Sequence, residues 1–110
     1  MVLLFPPPLK RSNFLVTTSI DGHLKLWKKS KAGGTLEFVK HFKAHSGPIV
    51  SIAISPNGQY LASVSNQDKS IKIFDIANFD MINMIKVSDM EPNVVCWVER
   101  DEKPHIIWYD

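Results

Sequence analysis

The sequence predicts an all-β chain that forms part of a β-propeller, with one complete four-stranded blade flanked by two partial blades. Three observations predict this. Short runs of alternating apolar and polar residues recur along the chain, each bounded by Gly, Pro, Asn or Asp, which is the signature of strands joined by tight turns. Two stretches follow one plan at a fixed spacing, and a period near ~40–45 residues is that of a four-stranded propeller blade. Finally, 45% hydrophobic and 22% charged residues in 110 match an ordinary globular domain and exclude a disordered chain.

The repeat is explicit. Phe14-Leu-Val-Thr-Thr-Ser-Ile-Asp-Gly-His-Leu-Lys-Leu-Trp27 and Tyr60-Leu-Ala-Ser-Val-Ser-Asn-Gln-Asp-Lys-Ser-Ile-Lys-Ile-Phe74 each give a strand ending in hydroxyl residues, a turn with Asp, and a second strand closing on an aromatic. Asp21 and Asp68 are 47 positions apart, as are Trp27 and Phe74. The excess over the usual period fits the Lys- and Gly-rich loop 28–34, which should be exposed.

A first partial blade spans 13–42, and a complete blade spans 43–87. In the complete blade, 49–55 alternates apolar residues with Ser and Ala, Pro56-Asn57-Gly58 makes a hairpin turn, and 60–65 returns. Residues 71–76 give a third strand and 81–87 a fourth, although Phe79, Ile82 and Ile85 also fit helical spacing. A further partial blade at 94–110 has strands at 94–99 and 105–109 around a turn at 100–103. Residues 1–12 match no part of the plan and are set apart as a tail. They lack the charged start and apolar core length of a secretory signal, and Pro6-Pro7-Pro8-Leu9 lacks the P-x-x-P spacing of a polyproline ligand.

No apolar run reaches the ~20 residues of a membrane helix, so no membrane association is expected. A single cysteine, Cys96, precludes an intramolecular disulfide and suits a reducing compartment, and its apolar neighbours predict burial. The net charge of +2 hides an asymmetry. Residues 1–43 carry eight basic against two acidic residues, while 44–110 carry five against nine. Direct RNA contact through this basic third is an alternative reading, but Lys25, Lys28, Lys29 and Lys31 fit a solvated strand face and no RNA-binding aromatic motif accompanies them.

Catalytic chemistry is not predicted. The four histidines (His23, His41, His45, His105) are not spaced along the chain as metal ligands, no second cysteine completes a zinc site, and no Gly-rich phosphate loop occurs. Neither a cofactor nor a small-molecule substrate is expected. Ser, His and Asp are present, but in no nucleophile-elbow context.

The spaced repeat with its Asp turns and closing aromatics resembles the WD40 repeat family. That resemblance places His45, Ser63, Asp68 and Phe74 at the positions of the family's structural tetrad, with Ser65 as the alternative hydroxyl. The first unit has Thr17, Asp21 and Trp27 at the same positions, and its histidine should precede the alignable segment. In the tetrad an indole N–H donates to a hydroxyl, the hydroxyl meets the histidine, and the Asp fixes the imidazole tautomer. Phe74 has no N–H, so one bond is missing in the second unit.

Asp21-Gly-His-Leu-Lys-Leu-Trp-Lys-Lys29, Leu36-Glu-Phe-Val-Lys-His-Phe42 and Ile73-Phe-Asp-Ile-Ala-Asn-Phe-Asp-Met-Ile-Asn-Met84 further resemble the propeller of the nuclear, spliceosome-associated cyclophilins that carry WD repeats. The resemblance implies a scaffold for protein partners of a spliceosomal complex, located in the nucleus. The isomerase activity of such proteins belongs to a separate cyclophilin domain that nothing in this sequence matches. Peptidyl-prolyl isomerisation is therefore the alternative function, as a property of a longer parent. Loops on one blade face make Lys43, Ser46, Pro48, Asn66 and Gln67 the candidate partner contacts.

Overall fold

The computed structural model describes residues 2–4 (main chain), 14–30, 34–87 and 89–109. Within them lie ten strands: β1 (Val2–Leu4), β2 (Phe14–Thr18), β3 (His23–Lys29), β4 (Leu36–Lys43), β5 (Ser51–Ile54), β6 (Tyr60–Ser65), β7 (Ser70–Asp75), β8 (Asp80–Lys86), β9 (Val94–Arg100) and β10 (Lys103–Tyr109). They form three antiparallel meander sheets in the orders β1-β2-β3-β4, β5-β6-β7-β8 and β10-β9.

Three residues of the stretch set apart as a tail pair with β2, Val2 opposite Thr17 and Leu4 opposite Leu15, and bring the first sheet to four strands. This short apolar run satisfies an otherwise open sheet edge. The triple proline and Lys31 lie outside the described residues. The stretch 81–87, where Phe79, Ile82 and Ile85 also fit helical spacing, is strand β8 at Asp80–Lys86: Ile82 is exposed while Phe79 and Ile85 pack on two different cores, so the three share no helix face. Likewise β5 is shorter than expected, because Ile49 and Val50 belong to the loop that enters the sheet.

The repeat extends to backbone detail. Each blade carries a register shift between its third and fourth strands, at Leu26/Trp27 and at Ile73/Phe74, again 47 positions apart. The turn residues Gly22 (φ 87°) and Lys69 (φ 54°) share that spacing and both have positive φ.

Strand β6 is buried on both faces from Leu61 to Ser65, as befits a central strand. One face closes a core with the first sheet, where Val16, Leu24 and Leu26 meet Leu61, Phe74 and Ile76. Phe42 reaches across to Phe74 with ring centroids 4.8 Å apart. The other face, with Ala62, Val64, Ile71 and Ile73, packs on Val95 and half-buried Trp97 of the third sheet. Each Leu, Ile or Phe so buried contributes roughly 1.5–3 kcal/mol. Trp97 Nε1 also donates to the Ala53 carbonyl at 3.0 Å, and its ring stacks on Tyr60. Cys96 departs from expectation. It is only half-buried, because alternation sends Val95 and Trp97 toward the second sheet and Cys96 to the opposite face.

Candidate functional site

The loop 44–50 between β4 and β5 is anchored at two points. Its first anchor is the Gly22 carbonyl, which accepts from the N–H groups of Ala44 (2.9 Å) and His45 (3.1 Å). Approach this close requires glycine, since a Cβ at Gly22 would stand 1.9 Å from the His45 carbonyl oxygen.

The second anchor is the His45 side chain, which is buried between the β6–β7 turn and β6. Its Nδ1 lies 3.0 Å from Asp68 Oδ2 and 3.2 Å from Oδ1, and its Nε2 lies 2.8 Å from Ser63 Oγ. A carboxylate only accepts, so Nδ1 carries the proton and Ser63 donates to Nε2. Asp68 also receives the Ser46 N–H at 3.2 Å and the Ser70 hydroxyl at 2.7 Å. Ser70 Oγ is 3.1 Å from His45 Nδ1 as well. The sequence reasoning missed Ser70; an Asp with a Ser two residues on, opening a strand, was the available signal.

Burial holds the His45 imidazole below its ordinary range, against the pull of Asp68, so it is neutral. Burial pushes the Asp68 carboxyl up, but the bonds from Ser70, His45 and Ser46 together outweigh it and leave it depressed. The Ser63–His45–Asp68 order is that of a hydrolytic triad. Ser63, however, has no exposed surface, so no substrate carbonyl can reach its oxygen. What the arrangement does is clamp a loop to two strands.

The other predicted residues divide. Phe74 stands outside the polar network and fills the inter-sheet core. Ser65, the alternative hydroxyl, is buried with no hydrogen-bond partner among the described residues. In the first sheet, Trp27 Nε1 donates to Thr17 Oγ1 at 3.0 Å, the bond that Phe74 cannot make. Asp21 is exposed and apart from that pair: it accepts from the Ser19 hydroxyl, which holds its carboxyl low, and lies 3.7 Å from His23 Nε2.

Chain spacing also failed to show that β3–β4 pairing brings His23 and His41 together. Their rings stack with centroids 4.6 Å apart, and His23 Nδ1 meets His41 Nε2.

Around the clamped loop, Lys43, Ser46, Pro48 and Gln67 are exposed. Gln67 folds over Gly47. Asn66 differs from the others, being half-buried and donating to Asn93 Oδ1 at 2.8 Å.

A sequence profile of the WD domain, G-beta repeat, matches residues 9–28 and 36–75, more than half of the chain. Peptidyl-prolyl cis-trans isomerase cyp15 of Rhizopus delemar is 51% identical over 90 residues, covering 82% of this chain and 14% of that protein. The human peptidylprolyl isomerase domain and WD repeat-containing protein 1 is 52% identical over 77 residues, 70% of this chain and 12% of that protein. The chain thus spans about one-seventh or less of these relatives. Among solved structures, the β-propeller domain of Myceliophteria thermophila Cps50 (Swd1) superposes with a TM-score of 0.64 at 15% identity, over 77% of this chain and 30% of that one.

Proposed function

Because this chain belongs to the WD40 repeat family, we propose that it is a protein-interaction scaffold whose contact surface is formed by loops 44–50 and 66–69 with Lys43 at the end of β4. One observation carries the reading. His45, Asp68 and Gly22 hold the loop from beneath, while Lys43, Ser46, Pro48 and Gln67 stay exposed around it. A rigid loop loses little entropy on binding, which favours recognition. The names of the relatives, which join a peptidyl-prolyl isomerase to WD repeats, support the reading that the chain is the propeller portion of a longer WD-repeat isomerase. We propose further that this longer protein is nuclear and that the propeller helps to dock its isomerase onto a spliceosomal assembly. Isomerase activity then belongs to another part of that longer protein.

Cosedimentation of the purified chain with spliceosomal particles in a glycerol gradient tests the proposal. The wild-type chain is expected to cosediment, and a Lys43→Glu, Gln67→Glu variant with unchanged circular dichroism to lose at least tenfold of the bound fraction. Failure of the wild type to cosediment defeats the spliceosomal reading; equal binding by the variant defeats the surface.

A further inference from the structure

We propose that His23 and His41 form a binding site for one late first-row transition-metal ion, of the zinc(II), copper(II) or nickel(II) class, on the open face of the first sheet. The two residues are diagonal neighbours across the β3–β4 ladder, where Lys25 pairs with His41 and His23 with Lys43. Their side chains stack at an interplanar angle of 10° with His23 Nδ1 against His41 Nε2. Two ring nitrogens that face each other cannot both carry a proton, so at least one lone pair points into the gap. A metal ion uses both lone pairs. Bonds of about 2.0–2.1 Å to each nitrogen set the two nitrogens about 3.3 Å apart in tetrahedral geometry, so the exposed rings swing apart to admit the ion.

Asp21 completes the case. Its Oδ2 lies 3.7 Å from His23 Nε2, on the far side of the ring from His41. A carboxylate at that distance favours a proton on Nε2 electrostatically, and so favours Nδ1 as the ligating nitrogen, in the place of the usual outer-shell partner of a metal-bound histidine. The blade itself does not require this pair. At the matching register of the second sheet stand Ser70 and Met84, opposite Lys86 and Lys72. A concavity of about 600 Å³, lined by Thr17, Asp21, Lys25, Phe38 and both histidines, leaves room for water to complete the coordination shell. No group of three or more His, Cys, Asp and Glu converges as a metal cage among the described residues, so the protein supplies two ligands. Imidazoles select this class over magnesium or calcium.

Calorimetric titration of the 110-residue chain with zinc chloride, and separately with nickel chloride, tests the proposal. One saturable equivalent is expected. His23→Gln and His41→Gln should each weaken binding at least tenfold, Asp21→Asn about tenfold, and exposed His105→Gln not at all. Imidazole nitrogen resonances of the wild-type chain give a second readout that holds even where a variant misfolds: those of His23 and His41 should shift on metal addition. No saturable binding below millimolar metal, or binding that leaves those two rings unshifted, overturns the assignment.

Discussion

His45 is a buried imidazole that remains neutral beside a carboxylate, and this sets how the blade responds to acid. Burial depresses its folded-state pKa, so as pH falls below about 6.5, the ordinary histidine value, the unfolded chain takes up a proton that the folded chain resists. Stability is therefore full above that pH and is lost progressively below it. Asp68, also depressed when folded, adds a second loss nearer its ordinary value of 3.8. Scanning calorimetry should show a melting temperature that falls between pH 7.5 and 5. The variant His45→Gln should melt lower at pH 7.5 and have a flatter slope across that interval; an unchanged slope removes His45 as the titrating group. Two residues away from the clamp's hydroxyl, the opposite case arises. Ser65 Oγ is buried without a partner among the described residues, so Ser65→Ala removes a desolvated polar atom and should stabilise by about 1 kcal/mol, whereas Ser63→Ala strips His45 of a bond and should destabilise by about 1–3 kcal/mol. Urea midpoints of the two variants moving in the same direction would contradict this assignment of hydroxyls.

At the scale of elements, the 47-residue spacing of Asp21/Asp68 and Trp27/Phe74 was visible in the sequence because strand pairing and turn chemistry repeat with it. The strands β6 and β7, rich in small, β-branched and aromatic residues and bounded by clear turns, lie within one residue of their expected bounds. What the sequence concealed was register. Only the β3–β4 ladder reveals that His23 and His41, 18 residues apart, share a face, and only the β1–β2 ladder turns Val2–Leu4 into part of a sheet. Half-burial of Cys96 was equally hidden, since an apolar run shows hydrophobicity but not which face is covered. Gly22 is the element-scale joint: it turns β2 into β3 at φ 87° and its carbonyl seats the loop that carries His45. Gly22→Ala combines an unfavourable φ with a collision against the His45 carbonyl, and should cost at least about 2 kcal/mol. Gly34→Ala, where an added Cβ meets nothing within 4 Å, is the control and should change stability by no more than about 0.5 kcal/mol. Equal denaturation midpoints for the two variants would show that the loop is not seated on Gly22.

For the whole molecule, the decisive quantity is the apolar surface left uncovered by three sheets. Two faces of the second sheet are buried, one against each neighbour, but the outward faces and outer strands are not. Phe38 on β4 is 55% exposed, Ile82 on β8 is 52%, and Ile107 and Tyr109 on β10 are 45% and 51%. Strand β10 pairs only with β9 among the described residues, so its other edge presents seven residues of main-chain donors and acceptors beside alternating apolar side chains. Such an edge is a template for pairing with a second chain, and nearby apolar patches add a non-directional drive. The isolated 110-residue chain is therefore expected to self-associate at tens of micromolar. A charge on the exposed face of this edge strand should oppose association: Ile107→Lys ought to shift the population toward monomer without altering the His45 clamp, which lies in another sheet. Sedimentation velocity over a concentration series, with hydrogen exchange on the same samples, decides it. A monomer at all concentrations with amides protected throughout β9 and β10 would mean that the third sheet is covered within the chain, and the exposed edge would not exist in solution. Association that Ile107→Lys leaves untouched would move the contact from β10 to the outer strands β4 or β8, where Phe38 and Ile82 are the residues to substitute next.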